Sequence, residues 1–168
     1  ETVPRQWVTS GFFEAMGVKA IAGRTFLPSD DYPDSNQVVM SEAFWRTRFD
    51  ADPAVVGSEI QFDGTPYTVV GVVPKEFQLT GRSSIWALLP AVRRPELRSI
   101  YALEVVGRLK PSATLESASA DLTAVAEGLA REFPDTNAGR GVLLEPLREA
   151  LIGSEVRLTS VLFLAAVA

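Results

Sequence analysis

The chain has 168 residues, 46% of them apolar and 22% charged, enough for one globular domain or two small ones and too apolar for long intrinsic disorder. Its net charge of -5, from 21 acidic against 16 basic residues, argues against a nucleic-acid surface, which carries a basic excess. With no cysteine and no histidine, the chain has no disulfide, thiolate metal site, thiol nucleophile or serine-hydrolase triad of the usual kind.

From the N-terminus, "PRQWVTSGFFEAMG" predicts a short strand around Trp7 and Val8, then a brief helix with Ser10 as N-cap and Gly17 as C-cap. Phe12, Phe13 and Met16 give that helix one apolar face. The stretch "LPSDDYPDSN" from Leu27 to Asn36 is a loop by its turn chemistry. Its Asp30, Asp31 and Asp34 lack the alternating ligands and central glycine of a calcium loop, so a solvated loop is the expectation.

A buried strand at Val38 to Met40 runs into a helix capped by Ser41, with Phe44, Trp45, Arg48 and Phe49 on one side and Pro53 limiting its length. In "SEIQFDGTPYTVVGVVP", Asp63-Gly64 between two β-rich runs predicts a two-residue hairpin turn. Val69, Val70, Val72 and Val73 predict a strand buried on both faces, and Gly71 within it a bulge or a close backbone approach.

Ile85 to Leu89 reads as another strand, ended by Pro90, and the following Arg93, Arg94 and Arg98 as a solvated cluster or a partner patch. "YALEVVGRLK" alternates as a half-exposed strand should. A long helix is predicted from the N-cap Thr114 to Pro134, with Leu115, Ala118, Leu122, Val125, Leu129 and Phe133 as a core-facing stripe. "GVLLEPL" predicts a last strand. Helices and strands are interspersed, with at least one antiparallel pair, so the fold class is α+β.

The chain carries no phosphate-binding loop, dinucleotide fingerprint or nucleophile elbow. A carboxylate pair such as Asp30 with Asp34, or a Ser-Lys pairing of Ser83 or Ser84 with Lys75 or Lys110, lacks a distinctive spacing. No catalytic, cofactor-binding or metal-ligating residue is therefore assigned.

Several stretches together resemble the extracytoplasmic core domain of MacB-type ABC-transporter permeases, particularly the duplicated orphan permeases of that family. They are "VTSGFFEAMGVKAIAGRTFLPSDD", "VVMSEAFWRTRFDADPAVVGSEIQFDGTPYTVVGVVPKEF" and "VVGRLKPSATLESASADLTAVAEGLAREFPDTNAGRGVLLEPLREALIG", in the family's order. The resemblance implies a two-lobed domain between two transmembrane helices. A discontinuous porter-like βαβ lobe would comprise residues 1–40 and 101–153, and an inserted lobe with the hairpin residues 41–100. Residues 154–168, ending in the apolar run "SVLFLAAVA", would begin a truncated transmembrane helix, and any targeting segment would lie outside the chain.

The function so implied is non-enzymatic and needs no cofactor. ATP-driven motion of transmembrane helices would be passed to periplasmic partners or envelope substrates at the bacterial inner membrane. The implied partners are a separate ABC ATPase subunit, a periplasmic adaptor or envelope protein, and the membrane itself. Relatives act as dimers or pseudo-dimers, whereas the isolated domain is expected to be a monomer. A freely soluble interaction module and an unorthodox hydrolase are the alternatives.

Overall fold

A computed structural model describes residues 3–32, 35–77, 83–89 and 104–151. The chain divides into two compact units, Glu1–Arg93 and Arg94–Ala168.

The first unit is built on a mixed sheet. Its strands are β1 (Arg5–Val8), β2 (Ala22–Gly23), β3 (Gln37–Ser41), β4 (Glu59–Phe62), β5 (Thr65–Val73) and β6 (Ile85–Leu88), in the spatial order β1-β6-β3-β5-β2, with β4 also paired to β5. β1 runs parallel to β6 and β3 parallel to β5, while β3 with β6, and β5 with both β2 and β4, are antiparallel. Of the two expected lobe boundaries, 40–41 and 100–101, the first falls at β3, with strands from both sides of it in this one sheet.

The two faces of the sheet carry two apolar clusters. On one face Val38, Met40, Val69, Val72, Ile85 and Ala87 are covered by the helix α2 (Glu42–Phe49) and the β4–β5 hairpin. On the other, Val39, Val73, Trp86 and Leu88 pack with Val8, Phe26 and the helix α1 (Phe12–Met16). Phe13 is fully buried there, its ring centroid 5.7 Å from those of Phe26 and Phe77 and 5.8 Å from that of Trp86. Burial on both sides is why the β3 and β5 sequences are runs of apolar residues rather than alternating patterns.

Local chemistry sets the boundaries. The Ser41 hydroxyl accepts the Phe44 N–H at 3.2 Å and caps α2, as expected. At the hairpin, Asp63 and Gly64 both have positive φ, 51° and 77°, which is the twist a two-residue loop requires. Gly17 closes α1 at φ 71°, but the N-cap is Gly11 without a side-chain cap, so Ser10 does not play the role predicted for it. Ser10 instead lies inside the turn closed by the Phe12 N–H on the Thr9 carbonyl at 3.1 Å, ahead of the helix.

Gly71 answers to both of its predicted roles. The β3–β5 register pairs Val38 with Val69 but Val39 with Gly71, so Val70 is the extra residue of a β-bulge. That extra residue restores the alternation of faces: Val69 and Val72 both meet the first cluster, Val70 and Val73 the second. A Cβ on Gly71 would overlap the carbonyl oxygen of Arg24 and lie 2.9 Å from that of Ala22, because the β2 backbone crosses directly over it.

The second unit contains α3 (Leu115–Glu132) and the single turn α4 (Pro134–Asn137). Thr114 caps α3, its hydroxyl accepting the Ser117 N–H at 3.1 Å while Ser117 Oγ accepts the Thr114 N–H at 3.0 Å. Two expectations are corrected here. Residues 104–110 and 141–147 form no strand, since no segment among the described residues pairs with either to satisfy its N–H and C=O groups. The apolar stripe of α3 is not buried: Leu115, Leu122 and Val125 are exposed, and Val105 and Leu143 stand 92% and 87% exposed. Pro90, Arg93, Arg94, Arg98, Asp34 and the terminal run from Val161 to Ala168 lie outside the described residues.

Candidate functional site

Of the residues considered for chemistry, Asp30 and Ser84 make structural contacts. Asp30 sits at the third position of a one-turn 3-10 helix, Pro28–Asp30, from which its carboxylate reaches back to the backbone at the helix start. That carboxylate accepts Arg24 Nη1 at 2.6 Å and Nη2 at 2.9 Å, and the Leu27 N–H at 2.8 Å. Burial acts to raise the Asp30 pKa, yet hydrogen bonds from Arg24, Leu27 and Gln37 and the charge of Arg24 outweigh it and hold the carboxyl below its ordinary range. Such a group stays ionised as a tether for the loop and is a poor proton donor. Asp31 is exposed beside it.

Ser84 serves the sheet through its backbone, donating to the Pro4 carbonyl at 3.0 Å and accepting the Ser41 N–H at 2.9 Å. Among the described residues no hydrogen bond joins Ser83 or Ser84 to Lys75, whose backbone N–H instead approaches Glu42 Oε2 at 3.4 Å. Arg46 lies 2.8 Å from the other Glu42 oxygen and, with a smaller effect from Lys75, holds that carboxyl below its ordinary range despite the opposing effect of desolvation. Lys110 belongs to the second unit. Among the described residues no group of three or more acidic side chains is placed to hold a metal ion.

The concave feature of the first unit is a cleft of about 570 Å³ between α2, the β4–β5 hairpin and the start of β1. Phe44, Phe49, Ile60, Phe62 and Ile85 line it, together with Arg5, Arg48, Gln61 and Asp63. Each position follows from the local fold: Phe44, Arg48 and Phe49 recur on one side of α2, and Ile60 and Phe62 alternate toward the same face of β4. Arg5 is held by aromatic faces, its guanidinium carbon 5.0 Å from the Trp7 ring centroid and 5.8 Å from that of Tyr67. Its polar contacts are long, 3.4 Å to the Tyr67 hydroxyl and 3.7 Å to Asp63. The sequence showed the apolar side of α2 and the hairpin; that they meet around Arg5, far away in the chain, was not visible locally.

A mixed-sheet α+β domain of this kind offers binding surfaces and a rigid frame. The chain belongs to the MacB-like periplasmic core domain family, which matches residues 2–125. Among solved structures it is similar to the periplasmic region of MacB from Actinobacillus actinomycetemcomitans, at 25% identity and a TM-score of 0.49, over 74% of this chain and 56% of that one. It is also similar to the extracellular domain of the noncanonic ABC-type transporter YknZ from Gram-positive bacteria, at 14% identity and a TM-score of 0.50, over 80% of this chain and 66% of that one. The second likeness is one of fold. The chain thus spans 56% and 66% of the length of these two relatives. No curated protein matches the sequence.

Proposed function

We propose that this chain is the extracytoplasmic part of an ABC-type permease and passes ATP-driven motion of transmembrane helices to periplasmic partners or envelope substrates. The observation that carries the reading is the family match over residues 2–125. A transmitter of motion needs stiffness, and the sheet of the first unit supplies it: β3 is buried on both faces and bonded on both edges. Coupling through such a body requires no shifted pKa and no metal. In this reading the ATPase is a separate subunit, the second unit belongs to the porter-like lobe, and residues 154–168 lead into a transmembrane helix. Among the described residues no helix is long and apolar enough to cross a membrane.

The placement is tested with the full-length permease carrying Glu127→Cys, an exposed site on α3 in a chain that has no cysteine of its own. A membrane-impermeant maleimide is expected to label it in intact spheroplasts. Labelling only after lysis would put the domain on the cytoplasmic side and overturn the reading.

A further inference from the structure

We infer that the cleft between α2 and the β4–β5 hairpin binds a small organic acid with an apolar body, its carboxylate held by Arg5 and Arg48. The inference goes beyond the transport reading and stands without it.

The cleft volume of about 570 Å³ falls within the range of small-molecule sites. Its lining has the two halves such a ligand needs. Phe44, Phe49, Phe62 and Ile60 are partly buried hydrophobic side chains packed against the core of the sheet, so the apolar wall is already in place before anything binds. Around it stand two guanidinium groups against one carboxylate, a local positive excess on a chain whose net charge is -5. The acidic surface elsewhere repels an anion, and the cleft is where it is drawn in.

The state of the two arginines is the decisive feature. A guanidinium carries five N–H donors, and good bonds to oxygen fall at 2.7–3.2 Å, roughly. Arg5 lies against the rings of Trp7 and Tyr67, while its polar contacts, at 3.4 Å and 3.7 Å, leave those donors underused. Asp63 is 81% exposed and leaves the guanidinium accessible to a better acceptor. On α2, Arg46 is taken up by Glu42 at 2.8 Å, whereas Arg48, one turn from Phe44, has no hydrogen-bond or ion-pair partner among the described residues. An arginine such as Arg5, resting against aromatic rings with donors underused, is prepared for the bidentate geometry of a carboxylate, with less order left to impose on binding. The three phenylalanine rings then cover the ligand's alkyl or aromatic body.

The experiment titrates decanoate, below its micellar concentration, into the protein by calorimetry, with decanol as the uncharged control and Arg48→Gln and Arg5→Gln as variants. Arg48 is exposed, so Arg48→Gln keeps the fold even if Arg5→Gln does not. The expected result is saturable binding of decanoate, at least about tenfold weaker binding of decanol and a loss of about tenfold or more in Arg48→Gln. Amide shifts on decanoate addition are expected to cluster in α2 and the hairpin. The inference is overturned by no binding at about 1 mM decanoate, by Arg48→Gln binding as the parent does, by decanol binding as tightly as decanoate, or by shifts confined to α3.

Discussion

Asp30 shows how a residue's meaning depends on its partner. In the sequence it is one of three aspartates in a proline-rich loop, and its type and spacing fit a solvated turn. The structure gives it a bidentate arginine six residues earlier and a backbone donor, and buries it to 4% exposure. Nothing in the local pattern marks Arg24 as that partner, because the pairing depends on the path of the chain through Gly23 and β2. Since the folded carboxyl binds its proton less tightly than the unfolded one, the pair's stabilisation is present above the ordinary value of 3.8 and is lost as pH falls through the lower folded value. Asp30→Asn is expected to cost about 2 kcal/mol near neutral pH, by loss of a charge-assisted bond at a buried site. In urea unfolding, the gap between parent and variant should close on acidification below the ordinary aspartate range. A gap that is constant from neutral to acidic pH would show that the charge of Asp30 contributes nothing.

At the scale of elements, the sequence was most legible where a turn or a face has one solution. The Asp63-Gly64 hairpin, the Ser41 and Thr114 caps, the buried β3 and the doubly buried end of β5 could all be read from residue type and spacing. The two strands expected in residues 101–147 could not, because alternation shows only which side of a strand would be apolar; a strand also needs an edge to bond. The same applies to α3, whose stripe at three- and four-residue spacing is half-buried at Ala118, Leu129 and Phe133 and exposed at Leu115, Leu122 and Val125. Gly71 combines both lessons: its strand position was readable, and its burden, the backbone of β2 laid across it, is a tertiary fact. Gly71→Ala is expected to destabilise the first unit by about 3 kcal/mol or more, since backbone rather than a movable side chain occupies the space. Thermal unfolding followed by tryptophan fluorescence reports it through the buried Trp86. An unchanged midpoint would mean that β2 and β5 are not in register as described.

For the whole molecule, order carried more than any motif. No one segment identifies the chain, but the succession of aromatic pair, acidic loop, capped helix, hairpin and long helix resembles one family, and that family matches residues 2–125. Order alone leaves the division of the chain open. Lobe boundaries were expected at 40–41 and 100–101; the chain divides into two compact units between Arg93 and Arg94, and β3 is bonded to β6 on one side and to β5 on the other, within one sheet. Stiffness of that sheet is the premise of the proposed role: motion entering from the membrane must move the unit as a body.

The most direct measurement labels exposed Glu59, replaced by cysteine, with a spin label in the full-length permease reconstituted in lipid with its ATPase, and follows the distance between two copies by pulsed resonance. The account predicts that this distance distribution shifts between the nucleotide-free and ATP-trapped states, while a pair placed within the sheet of one copy keeps its distance. Identical distributions in both states, with ATP hydrolysis running, would contradict it.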